Sequence, residues 1–293
     1  DALRLTLVTG NAPGNDMRFY HERVESSRNF ANKVWNASRF IMMNMEENVV
    51  AEPDASLLNE ADKWILSRVN RLAKDVTENM DKFELGIAVQ KVYDFIWDEF
   101  CDWYVETAKY RIYHKEEEKA AADCVLWVLK TVLKQALKLL HPFMPFITEE
   151  LWQALTDRQS GESLMISDMP QSKGFNADYL SDFEKVKEIV SGIRTVRLQK
   201  NIPNKELLGL EVLGEYAKTF DSVIQKMGNL TAIDQVSDKS SGSVTFMVGT
   251  TEFAIPLGNN IDIEAELKKL EEELTYLKGF LISVQKLRIL SDK

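Results

Sequence analysis

Residues 28–40 read RNFANKVWNASRF, and together with Ile41 they set the fold class. At 3.6 residues per turn, Arg28, Asn32, Trp35, Asn36 and Arg39 fall within an arc of about 100°, whereas Phe30, Val34, Ala37 and Ile41 fall within about 60° on the opposite side. Phe40 borders the two faces. A helix with one apolar face must bury it against another element, and apolar residues keep helical spacing through most of residues 18–156. EENVVAEPDAS (46–56), with Pro53 and Ser56 as a capping residue, separates this helix from a second starting near Leu57. Asp81 to Gly86 separates the second from a third, which runs through VQKVYDFIWDEFCDWYVETAKYRIY (89–113) to about His114. KEEEKAAAD leads into a fourth, VLWVLKTVLKQALKLL (125–140), ending at His141 and Pro142, and FITEELWQAL (146–155) forms a shorter one from Phe143. Long helices with short connections predict an antiparallel bundle, so the fold class is mainly α.

The pattern then changes. DRQSGESLMISDMPQSKGFNAD (157–178) is rich in Gly, Ser and Pro without sustained period, which predicts a linker over 157–177. Beyond it, 182–200 reads as a helix stopped by Pro203. LLGLEVL, TAIDQV, SVTFMV and EFAIPL read as short strands around a helix at 215–228, with a hairpin at Gly249, Thr250 and Thr251. These predict a small α/β domain over 178–258. In the last segment, 261–293, Ile263, Leu267, Leu270, Leu274, Leu277, Leu281 and Val284 alternate spacings of four and three, a heptad seam that predicts a coiled-coil helix. One helix cannot bury such a seam, so a removed second strand or another chain must cover it, and self-association through Ile263 to Val284 is an expectation.

Composition narrows the functions. In 293 residues, 45% are hydrophobic and 28% charged, the balance of a globular chain long enough for two domains. No stretch reads as a membrane span and the N-terminus has no signal-peptide pattern, so the reading is cytoplasmic, with no membrane partner; the start without Met reads as a fragment. Cys101 and Cys124 lack companions at metal-ligand spacing, so they are expected to be buried free thiols, with no metal site. The net charge of −10 argues against indiscriminate nucleic-acid coating, and no DNA partner is expected. Any RNA site must be local, and two basic windows qualify. One holds Arg18, Arg23, Arg28, Lys33 and Arg39; the other holds Arg194, Arg197, Lys200 and Lys205 with no acidic residue among them.

The polar face of the first helix joins amides, guanidinium groups and an indole, the groups that pair base edges, hold phosphates and stack on unpaired RNA bases. The same pattern also fits an ordinary solvated face with Trp35 capping the core. Asp98, Asp102 and Glu106, at i, i+4 and i+8, could pair as catalytic carboxylates, but Lys109 lies within reach and no nucleophile or base accompanies them. His21, His114 and His141 lack triad partners, GES (161–163) is no phosphate loop, and GNAPGN lacks the spacing of one.

LRLTLVTGNAPGNDMRFY, RNFANKVWNASRF, ADKWILSR, DFIWDEFCDWYVETAK and LHPFMPFITEELW, in that order, resemble the post-catalytic part of the valyl-tRNA synthetase family of class I aminoacyl-tRNA synthetases. The resemblance covers nearly the whole chain. It implies that 1–17 is the tail of the segment following the catalytic domain, 18–156 the helical anticodon-binding domain, 178–258 a connecting domain and 261–293 the first strand of a coiled-coil arm. It also implies valine tRNA as partner, with Arg18, Asn32, Asn36 and Arg39 at the anticodon and Trp35 or Phe40 as stacking platform. Arg194, Arg197 and Lys200 are then expected on the tRNA backbone. The HIGH and KMSKS signatures are absent, so no cofactor is expected in this chain, and ATP and Mg belong to the parent enzyme. An isoleucine or leucine tRNA ligase fragment predicts the same fold, and a helical protein-interaction scaffold remains the alternative of another class.

Overall fold

The computed structural model describes residues 1–9, 18–45 and 51–257, together with Leu274, Thr275, Leu277, Lys278, Gly279 and Leu281. The described chain is mostly helical with one small sheet. Its helices are α1 (Ala2–Val8), α2 (His21–Asn44), α3 (Glu60–Asp81), α4 (Leu85–Asp94), α5 (Glu106–Tyr113), α6 (Lys119–Leu140), α7 (Pro145–Ala154), α8 (Ala177–Gln199) and α9 (Asp221–Gly228).

Two compact units divide the chain, one made of Asp1–Val186 and Ala217–Val223, the other of Lys187–Tyr216 and the chain from Ile224 on. The first is a helical bundle. Its central helix, α6, buries Val125, Leu129, Val132, Leu133, Ala136, Leu137 and Leu140, so apolar side chains meet neighbours around most of its circumference. Around it, α2 contributes Phe30, Val34 and Ile41, and α3 contributes Trp64, Ile65, Val69 and Leu72. The N-terminal helix joins the same unit: Thr6 and Ser27 hydroxyls meet at 2.8 Å, and the Asp1 carboxylate accepts from the first amides of α7, at 2.6 Å from Ile147.

Three local outcomes differ from the sequence reading. The second helix begins at Glu60, capped by Asn59 in a reciprocal box with Asp62; Ser56 instead serves a short 3₁₀ turn capped by Asp54. The third helix is not continuous α: Phe95–Val105, between α4 and α5, is π-helical. Its wider turn buries 95–96, 99–101 and 104–105, so carboxylates four residues apart no longer stack on one line. The domain boundary also falls inside α8 and not over 157–177, because Phe183 stacks on Trp64 at 3.5 Å and the Tyr179 hydroxyl bonds Glu60, which gives the first turns of α8 to the bundle.

In the second unit the sheet runs β2-β1-β4-β3, from β1 (Leu208–Leu213), β2 (Leu230–Val236), β3 (Ser243–Val248) and β4 (Thr251–Pro256). β1 and β2 are parallel and joined through α9, whereas β3 and β4 form an antiparallel hairpin turned at Gly249, φ +56°. α8 approaches this sheet so closely that a Cβ at Gly192 would overlap the Phe246 ring. The heptad seam lies outside the described residues except for Leu274, Leu277 and Leu281, which are helical and exposed. Among the described residues no helix is long and apolar enough to cross a membrane.

Candidate nucleic-acid interface

On α2 the burial follows the expected period. Phe30, Val34 and Ile41 of the apolar stripe face the core, with Ser38 buried beside them and Ala37 only half-buried, and Arg28, Asn32, Trp35, Asn36 and Arg39 are exposed, with Trp35 keeping 42% of its surface open. None of these five side chains makes a hydrogen bond, ion pair or ring contact with another described residue. Their surroundings are different. Lys33, in the same turn, is fixed between the Asp102 carboxylate at 2.8 Å and the Trp97 ring at 3.9 Å. Phe40 is half-buried with Lys109 Nζ 5.9 Å from its ring, so it is a less open platform than Trp35. Arg18 is exposed and precedes the helix, which starts at His21 after Tyr20, so it does not open α2. The result is a row of donors, acceptors and one indole on one helix face, with no internal obligation.

The paired-carboxylate possibility finds other occupations. Asp102 pairs with Lys33 and Glu106 with Lys109 at 2.6 Å, while burial and the charges of Asp94 and Asp102 push the Asp98 carboxyl up. Burial pushes the Cys101 thiol up to about 12, and both cysteines are buried free thiols. Among the described residues no three His, Cys, Asp or Glu side chains are placed to hold a metal ion.

The basic window of α8 divides. Arg197 is 3% exposed, donating to the carbonyls of Pro203 at 3.0 Å, Glu206 at 2.8 Å, Gly228 at 3.0 Å and Asn229 at 3.1 Å. The expectation that it holds the tRNA backbone is therefore corrected: its donors are spent tying the end of α8 to the turn before β2. Arg194 is exposed, Lys200 is half-buried, and Arg194, Asn201, Asn204 and Asn229 line a cavity of about 720 Å³ around that tie. Polar positions missed in the sequence are Asn44 and Lys119, which line a cavity of about 510 Å³ beyond the end of α2, and the lysines of α6; none lies in a basic window.

A family profile described as the anticodon-binding domain of tRNA ligase matches residues 62–213, just over half of the chain. The chain belongs to this family. The chain is similar along 98% of its length to valine–tRNA ligases: 46% identical over 286 residues in Parabacteroides distasonis, 41% over 286 in Porphyromonas gingivalis and 42% over 297 in Clostridium perfringens. It spans about a third of those relatives, 32% of the first two and 33% of the third. A solved LeuRS of Agrobacterium radiobacter K84, in ternary complex with tRNA and LeuAMS, aligns over 61% of this chain and 20% of its own at 17% identity with a TM-score of 0.44, too slight a likeness to bear on the fold. The profile match starts after α2, so the unengaged face of α2 lies outside it but inside the region shared with the valine–tRNA ligases.

Proposed function

We propose that this chain is the tRNA-reading part of a cytoplasmic valine–tRNA ligase, and that the exposed face of α2 reads the anticodon of valine tRNA. The observation that carries the reading is the row Asn32, Trp35, Asn36 and Arg39, exposed, unengaged and backed by a buried stripe that fixes its orientation. Asn32 and Asn36 offer both a donor and an acceptor to base edges, Arg39 offers a planar donor fork, and Trp35 offers a face on which an unpaired base can stack. Arg18, just ahead of the helix, and Phe40, at the margin, extend the row. In the second unit, Arg194 and Lys200 supply positive charge for phosphates, which position RNA without reading it. ATP, Mg and valine would be held by the parts of the ligase that carry the HIGH and KMSKS signatures, neither of which occurs in these 293 residues.

Asn36→Ala and Arg39→Ala test this. Each is expected to weaken binding of a valine tRNA transcript by about 1–3 kcal/mol, the cost of a lost base contact. Melting temperatures should barely change, because both side chains are exposed. Unaltered affinity in both variants, or a fall in melting temperature with affinity of the folded protein preserved, would make the row structural.

A further inference from the structure

Lys130, Lys134 and Lys138 stand at i, i+4 and i+8 on α6, so they share one side of the helix at intervals of about 6 Å along its axis. Most of α6 between Cys124 and Leu140 is core, and Lys130 itself is only 9% exposed. Neither Lys130 nor Lys134 makes an ion pair or a side-chain hydrogen bond with another described residue. Lys138 donates to the Asp168 carbonyl at 3.0 Å. Arg158 joins them, its guanidinium 3.0 Å over the Trp152 ring and its Nε donating to the Trp152 carbonyl at 3.2 Å.

These cations repel one another. Burial, then Arg158, pushes the Lys130 ammonium pKa down; burial, then Lys130, Arg158 and Lys138, does the same at Lys134. Of these four cations only Arg158 feels Glu162 and Glu149, and both carboxylates are occupied: Glu162 accepts from the Gln159 amide, and Glu149 from Ser163, Leu164 and Gln153. In a chain of net charge −10, a row of like charges at the edge of the core costs stability unless an anion completes it.

We propose that Lys130, Lys134, Lys138 and Arg158 form a track for consecutive phosphates of an RNA strand, a backbone contact separate from the base-reading face of α2. The proposal rests on the reading of this chain as a tRNA binder. A row fits this ligand better than a lone small anion does: the three lysines leave the helix over about 12 Å of its axis, the scale of successive phosphates along a strand. Lys138 keeps donors beyond the one given to Asp168.

Lys134→Gln and Lys130→Met, made in the full chain, are titrated with valine and isoleucine tRNA transcripts across a salt series. Each is expected to lower affinity for both transcripts alike and to reduce the slope of log affinity against log salt by about one. Melting temperature should hold or rise, because like-charge repulsion is relieved. Wild-type slopes in folded variants would overturn the proposal. Should the variants fail to fold, acetylation of the unaltered chain decides: tRNA should protect Lys134, and no protection, or equal protection by inorganic phosphate, would overturn the track. Asn36→Ala run alongside keeps the readings apart, since loss of affinity there with none at Lys134 overturns the track and leaves the α2 reading standing.

Discussion

On α8, Arg194 and Arg197 sit three residues apart and meet different surroundings. The buried stripe Val186, Ile189, Val190, Ile193 and Val196 continues onto position 197, one turn beyond Ile193, so helical period points Arg197 inward and Arg194 outward. That signal was legible in the sequence; the absence of acidic neighbours, which suggested phosphate, says nothing about which way a guanidinium points. Arg197→Ala is expected to cost about 2–3 kcal/mol, by leaving buried carbonyls without their charged donor, and to leave the salt slope of tRNA binding unchanged. Arg194→Ala should instead lower that slope by about one with little loss of stability. Thermal melts and salt titrations of the two variants check this, and the reverse assignment of effects would contradict it. Asp62, by contrast, was hidden from the sequence: fully buried, it accepts from Tyr104 at 2.6 Å and from both Arg111 amino groups at 2.5 and 2.8 Å, tying α3 to α5. Asp62→Ala strands a buried cation and should destabilise by about 3–5 kcal/mol in chemical denaturation.

Within elements, α7 couples the bundle to pH. Burial works against the Glu149 charge, but hydrogen bonds from Gln153, Leu164 and Ser163 outweigh it and hold the carboxyl below its ordinary 4.5. Its stabilisation is therefore complete above pH 4.5 and lost as pH falls through the lower folded value. Burial pushes His141 below its ordinary 6.5, against the opposing charge of Glu149, so protonation costs stability as pH falls below 6.5. Both effects have the same sign. Melting temperature should decline on acidification in two stages, and Glu149→Gln should flatten the stage below 4.5; superimposable curves for variant and parent would refute the assignment. The helices themselves were legible because their apolar periods are long and their breaks carry Pro, Gly or acidic runs. The π-helical Phe95–Val105 was not, since the aromatic run DFIWDEFCDWYV satisfies an α period nearly as well, and one extra residue per turn leaves no compositional mark. The exposed face of α2 was legible as a face, though sequence could not separate unengaged Asn36 from engaged Lys33, whose partners lie 64 and 69 positions away on the π segment.

For the whole chain, the Gly, Ser and Pro content of 157–177 marked a loop and not a boundary; stacking of Phe183 on Trp64, a contact between positions far apart in sequence, moved the division to Val186 and Lys187. The heptad seam leads to a separate expectation: the full chain should self-associate with rising concentration while a truncation ending at Asn260 stays monomeric. Sedimentation decides it, and identical behaviour of the two would remove the seam as an interface. The central claim, that an unengaged helix face reads the anticodon of valine tRNA, is tested most directly by competition between unmodified valine and isoleucine tRNA transcripts for the full chain across a salt series. The expected result is a preference for the valine transcript that persists as salt rises and disappears in Asn36→Ala or Arg39→Ala, because base contacts discriminate whereas phosphate contacts only add salt-sensitive affinity. Equal binding of the two transcripts at every salt concentration, unaffected by either substitution, would contradict it.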